Sequence, residues 1–238
     1  MQTAERHNIY TQIHKGLRAF MSEVLVSVGR VDPDDLREVD SALDQVRTLL
    51  AFARVHLEHE EYWIHPALEA ARSGASAESH GDHEHHLQAF EALLAAVRAV
   101  ELGAAADRAR ALLRLYRQLA LFVAENFEHM HVEETENHAV LVAGYSEAEV
   151  LALNQRLVAS IQPADMLTAL RWMVPASHAG ERTGLLGSMK RNAPAPVCAA
   201  VIELVTPYLS ARDRLKLDAA LAAVTVETSE PSATALAA

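Results

Sequence analysis

HLEHEEYWIH, residues 56–65, returns as HMHVEETENH, residues 129–138, and the two stretches share the spacing H-x-x-x-E-E-x-x-x-H. Laid over each other at a shift of 73 residues, His56 falls on His129, Glu60 on Glu133, Glu61 on Glu134 and His65 on His138. Core packing returns apolar residues, so a repeat of polar ones asks for another cause. Histidine and glutamate four apart stand one turn apart on one face of a helix. There an imidazole and a carboxylate can share a metal ion.

Both copies lie in amphipathic runs whose seams alternate steps of three and four, as in helices packed in a bundle. The first copy belongs to a helix starting at Asp32 as N-cap, with Pro33 in its first turn. Its seam reads Val46, Leu49, Ala53, His56, Glu60, Trp63 and Ala67, with Pro66 bending or ending it. His59, Glu61 and His65 fall off that seam and read as a solvated face. The second copy belongs to a helix over residues 104–142, closed by Gly144, with the seam Leu112, Leu115, Leu119, Phe122, Asn126, His129, Glu133 and Val140. His131, Glu136 and His138 are off it, and Glu134 is ambiguous. Glu60 and Glu133 therefore replace apolar residues in mid-stripe. An unpaired carboxylate inside a bundle costs several kcal/mol, comparable with the whole stability margin of a domain, unless it is protonated or finds a cation.

Two further helices complete the set. One runs from near Ala4 to just before Gly29, with the seam His7, Tyr10, His14, Leu17, Met21, Val24 and Val28. It places His14 inward, where a hydrogen-bonded core histidine is the alternative to a ligand, and leaves His7 at the surface. The other follows a polar loop at residues 73–81, is capped by Asp82 and ends at Gly103. Its seam of His83, His86, Phe90, Leu93, Val97 and Val100 separates two inward histidines from His80 and His85. The fold class is thus all-α, an up-down-up-down antiparallel four-helix bundle over residues 1–144. In that topology His14, His56, Glu60, His83, His86, His129 and Glu133 all come to one end. Five imidazoles and two carboxylates suit two transition-metal ions, and the excess of histidine favours iron over manganese.

Composition supports helices and sets limits. Half the residues are hydrophobic, only 5% are aromatic, and Gly and Pro number 9 and 8 in 238, which favours helix over sheet. A formal charge of −11 leaves no basic stripe for a nucleic acid. The single cysteine, Cys198, excludes an intrachain disulfide and a thiolate metal cage. With no membrane span and no targeting segment expected, the expected location is the cytoplasm.

The chain resembles the hemerythrin-like proteins that carry the HHE cation-binding domain. The resemblance covers residues 4 to 144 and rests on His14 in IHKGLR, His56 to Glu60 in HLEHE, His83 and His86 in DHEHH, and His129 to Glu133 in HMHVEE. It implies two iron ions in a non-haem, oxo- or hydroxo-bridged di-iron centre that binds dioxygen or responds to oxygen, nitric oxide, peroxide or iron, with zinc or manganese as alternatives. Two departures from the oxygen carriers stand out. The histidines of the third helix are three apart instead of four, and the fourth helix has Glu133 four residues after His129 where the carriers have an aspartate at five. Glu134, at five, stays open as an alternative bridge, and simple oxygen transport is in doubt.

Beyond the resemblance, a helical extension over residues 145–224 is expected to pack on the bundle or on a partner subunit, with its C-terminal helices offering a homodimer surface, followed by a disordered tail at 225–238. Ser146 and Glu149 form a capping box, Pro163 and Pro194 punctuate the extension, and His178 and Trp172 read as structural. Three functions are then in play. The first is a di-iron binding or sensing protein. The second is a di-iron enzyme, either an oxidase or peroxidase or an iron donor for iron-sulfur cluster repair. The third is a helical interaction module holding zinc or no metal.

Overall fold

The computed structural model describes residues 6–224, and within them every regular element is helical. The tail at 225–238 and the helix start near Ala4 lie outside the described residues. No described helix is long and apolar enough to cross a membrane.

Four long helices pack around one core: α1 (Thr11–Arg30), α2 (Leu36–His59), α4 (Ala77–Leu102) and α5 (Arg108–Val132). They contact one another in a ring, α1 on α2, α2 on α4, α4 on α5 and α5 on α1. Two short helices, α3 (His65–Ala71) and α6 (His138–Gly144), continue the second and fourth of these. Apolar residues collect in two clusters. The larger includes Leu17, Met21, Leu57, Phe90 and Met130, and the smaller Tyr10, Ile64, Leu68, Val140 and Leu141. The inward histidines and glutamates fall between them along the chain. From the N-cap of α1 inward the order is Tyr10, His14, Leu17; across the end of α2 it is Leu57, Glu60, Ile64.

Several helix ends differ from the sequence expectation, each for a local reason. Helix α1 begins at Thr11 because the preceding residues are tied elsewhere: Arg6 donates to the carbonyls of Val142 and Tyr145 at 2.5 Å, and Asn8 donates to the Glu134 carbonyl at 2.9 Å. It runs through Gly29, whose site faces the Tyr116 ring instead of forming a left-handed cap. Helix α2 is capped by Asp35, not Asp32, the Asp35 carboxylate accepting from the N–H groups of Arg37 and Glu38; Pro33 lies in the turn before it. Helix α4 starts at Ala77, five residues before Asp82, and so absorbs most of the expected loop. Its entry is held by Glu69, which accepts from the N–H groups of Gly74 and Ser76.

The described chain separates into two compact units dividing between Met173 and Val174. Within the first unit, α7 (Glu147–Ser160) begins with the expected Ser146–Glu149 capping box and buries Val150 and Leu153. Helix α8 (Pro163–Ala176) brings Trp172 flat against Phe20, ring centroids 4.1 Å apart. Gly16 permits this approach, since a Cβ there would meet the Met173 backbone nitrogen at 3.0 Å. The second unit holds α9 (Ala179–Asn192), α10 (Ala195–Val205) and α11 (Ala211–Ala222). In it, buried Arg182 pairs with Asp213 at 2.9 Å. His178 has a structural role there: its Nδ1 accepts from the N–H groups of Gly180 and Glu181 at the start of α9.

Candidate metal centre

The two copies of the repeat share a feature that periodicity does not show. Residues Glu60–Ile64 and Glu133–Asn137 are π-helical turns, in which each N–H reaches back five residues instead of four; the His65 N–H donates to the Glu60 carbonyl, and that of His138 to the Glu133 carbonyl. Such turns inside α-helices are often found at functional sites. Each begins at the first glutamate of the repeat and leaves that side chain fully inside, Glu60 at 2% exposure and Glu133 at 0%.

Around these carboxylates stand imidazoles from all four long helices. His14 Nε2 lies 3.6 Å from Glu60 Oε1 and 3.4 Å from Glu133 Oε2. His56 Nε2 is 3.2 Å from Glu60 Oε1, His83 Nε2 is 3.6 Å from Glu60 Oε2, and His129 Nε2 is 3.3 Å from Glu133 Oε2. Two ligand sets result, His14, His56, Glu60 and Glu133 in one, Glu60, His83, His129 and Glu133 in the other, each with donor atoms within 4.8 Å of one another. The carboxylates are common to both. Six of the inward atoms, His14 Nε2, His56 Nε2 and all four carboxylate oxygens, are buried with no hydrogen-bond partner. Leaving so many polar atoms unsatisfied is costly. Imidazole nitrogen and carboxylate oxygen together form the donor set of a first-row transition ion, so these residues fit a pair of cations.

His86 is placed differently. It is buried and its ring lies edge-on to that of His129, centroids 5.0 Å apart, yet it belongs to neither set. With His56, Glu60, His83 and His129 it lines a small cavity whose other walls are apolar except for Asn126, and include Leu17, Met21, Phe90 and Met130. The cavity leaves about 10 Å³ for the centre of a water-sized molecule, close to the least that holds one water.

A second layer holds the imidazoles from behind. Glu61 Oε1 stands 2.7 Å from His83 Nδ1, Asp82 Oδ2 3.1 Å from His129 Nδ1, and Glu134 Oε1 3.1 Å from His14 Nδ1. Each carboxylate thereby favours the tautomer protonated at Nδ1, the one in which Nε2 can ligate; the Nε2 atoms of His83 and His129 stand 3.1 Å from each other. Glu134, open from the sequence as a bridge, is turned away from the inner oxygens toward His14 and Arg18, whose Nη1 donates at 2.6 Å. Asp82 braces His129 instead of capping a helix. Glu61 and His65 are not simply solvated. Glu61 is half-buried, and His65 is 5% exposed with its ring stacked on that of His83, centroids 5.0 Å apart. Trp63 and Ala67, assigned to the seam, are only half-buried, since the π-turn shifts the inward face to Ile64 and Leu68. The pairing of glutamates in the repeat was the available signal for Glu61 and Glu134 in the bracing layer. Asp82 and Arg18 had no such signal.

Burial governs the protonation of the site. It drives His14 and His86 down to about 4 and His83 to about 3, and it lowers His56 and His129 as well. It raises Glu60 and Glu133 far above the usual carboxylate range, with nearby carboxylates adding to the rise. Without a cation, burial favours the neutral form of each of these groups; a cation reverses this for the glutamates. Tyr10 also borders the site, its ring 5.4 Å from that of His14 and its hydroxyl buried without a hydrogen-bond partner.

In comparison with known families, the hemerythrin HHE cation binding domain matches residues 7–141. Neither the curated proteins nor the solved structures gave a match. The matched span takes in both ligand sets, His86 and all three bracing carboxylates.

Proposed function

Because the chain belongs to the hemerythrin HHE cation-binding domain family, we propose that it is a non-haem di-iron protein that binds or senses a small ligand such as dioxygen, nitric oxide or peroxide. What carries this reading is the group of six buried, unpartnered donor atoms on His14, His56, Glu60 and Glu133, with His83 and His129 completing a second ligand set around the same two glutamates. His14 and His56 are assigned to one iron, His83 and His129 to the other, and both glutamates to the pair. His86, beside His129, is assigned to the second iron too. Iron bound there supplies redox chemistry and open coordination for a small molecule.

The protein's own residues restrict what can arrive. The cavity beside His83 and His129 has room for about one water-sized molecule, and the apolar side chains on its wall away from the ligands, with Asn126 among them, favour a small uncharged ligand over an ionic substrate. We also take the four long helices to run up-down-up-down. The chain order of apolar and ligand residues supports this: α1 and α4 pass from the site into the larger cluster, and α2 and α5 pass from that cluster into the site.

Metal analysis and a visible spectrum of protein purified after iron-replete expression test the proposal. Two irons per chain, with near-ultraviolet and visible absorption that falls in His56→Ala and His129→Ala, are expected. One iron or none, or a metal content that ignores both substitutions, overturns it, and colourless protein holding zinc favours the interaction-module reading.

A further inference from the structure

Behind His83, on the side away from the paired carboxylates, a separate group of ligating side chains comes together. Glu61 follows the inner Glu60 in the first π-turn, His65 opens α3, and His80 is one turn into α4. One donor atom from each lies within 4.8 Å of the other two. Glu61 Oε2 is 3.3 Å from His65 Nδ1 and 3.2 Å from His80 Nδ1, and Glu61 Oε1 is 3.0 Å from His80 Nδ1. Hydrogen bonding alone does not account for the group. His65 is buried, its Nε2 has no hydrogen-bond partner and its Nδ1 has only the poorly aligned Glu61 carboxylate at 3.3 Å, a cost that a cation bound at the ring reduces.

We propose that Glu61, His65 and His80 form a third metal site, distinct from the two inner ligand sets, which takes one divalent first-row transition ion. Two imidazoles and one carboxylate suit zinc or ferrous iron better than magnesium or calcium, which prefer all-oxygen ligands. Three protein ligands leave coordination positions open, and His80, 57% exposed, puts them on the solvent side. Glu69 fixes the start of α4 and with it the placement of His80. Glu84, with its carboxylate 4.0 Å from His80 Nε2, adds negative charge around the opening. Glu61 also touches His83, so an ion held here is one imidazole away from the inner pair.

The test is a titration of the full chain, as purified, with Co²⁺, followed by calorimetry and by the visible bands of the ion. Wild type is compared with His80→Ala, an exposed substitution that spares the core, and with His85→Ala, an exposed histidine of the same helix outside the group. Wild type and His85→Ala are expected to take up one equivalent that His80→Ala binds at least about tenfold more weakly, since loss of even an outer-shell partner costs that much. Equal binding by wild type and His80→Ala, or equal loss in both variants, overturns the site. The assignment is separable from the di-iron reading. Protein that arrives without iron defeats that reading, while the equivalent removed by His80→Ala alone still reports the third site.

Discussion

The two copies of H-x-x-x-E-E-x-x-x-H are alike at their first glutamate and differ at their second. Glu60 and Glu133 both enter the core at the start of a π-turn and meet two imidazoles each or more. Glu61 and Glu134 both turn outward and take the Nδ1 of a histidine on another helix, His83 and His14. There the likeness stops. Glu134 is neutralised by Arg18, whereas Glu61 faces His65 and His80. The same backbone device thus makes a closed brace on one side of the centre and an open, cation-seeking group on the other. What surrounds the second carboxylate decides its role, and its position in the repeat does not.

The largest expected effect separates the first glutamate from the second. Glu60→Gln and Glu133→Gln each remove an anionic ligand common to both sets and should weaken metal retention by more than about 100-fold, beyond the range for outer-shell partners. Metal content after dialysis against a mild chelator measures this. If either variant keeps two ions, the shared-carboxylate arrangement is wrong. Next in size come Glu61→Gln and Glu134→Gln, which loosen an imidazole from behind and should cost about 10- to 100-fold in metal affinity. Only the Glu61 variant should also lose the Co²⁺ equivalent that depends on His80. Identical behaviour of the two would erase the contrast between open and closed sides.

Acid should act on the inner ligands in a defined direction. In the metal-free chain the histidines are held below their ordinary 6.5, His14 and His86 at about 4 and His83 at about 3. Below 6.5 the unfolded chain takes up protons that these residues refuse, so their contribution to stability is whole above that value and is lost as the pH falls through it toward the folded values. Glu60 and Glu133, raised above 4.5, act oppositely: their contribution is whole below 4.5 and is lost as the pH rises through their folded values. A cation binds the glutamates ionised and the histidines neutral. The gap in melting temperature between metal-loaded and metal-free protein should therefore be widest above neutrality and close toward about pH 5. Thermal melts across that range check it, and a constant gap would contradict a buried site made of these residues.

The smallest effect belongs to the closed side alone. Arg18 and Glu134 are both partly exposed, so solvent screens their pairing, and Arg18→Ala should cost no more than about 1 kcal/mol, or about 2–4 °C in melting temperature for a chain of this size. A much greater loss would mean that Glu134 needs its cationic partner as strictly as the inner glutamates need theirs.

The inner centre was legible because its residues interrupt apolar seams. His14, His83, His86 and His129 keep steps of three and four with the leucines, valines and phenylalanines around them, and the doubled motif ties Glu60 to Glu133. Legibility ended at the π-turns. A pattern of period 3.6 carried past Glu60 selects Trp63 and Ala67, whereas the inward residues are Ile64, His65 and Leu68, because the turn holds an extra residue that no apolar spacing announces. The entry to α4 was misread for another reason: Asp82 looks like a cap in SHGDHEHH, but Glu69, outside that run, holds the start of the helix and frees Asp82 to brace His129. Long-range partners of this kind have no local signature.

A π-turn is, in length, an α-helix with one residue inserted. Five residues of such a turn cover about the rotation of four in an α-helix. Deleting one residue from the first of them, for instance exposed Tyr62, would therefore restore an unbroken α-helix and leave everything downstream at its bearing. His56 and Glu60 would stay inward, and so would Ile64, His65 and Leu68, each one number earlier. Related chains that lack a residue at this point would then present the same side chains to the same neighbours, so ligands on the two sides of the turn are to be matched by bearing and not by counting from the motif.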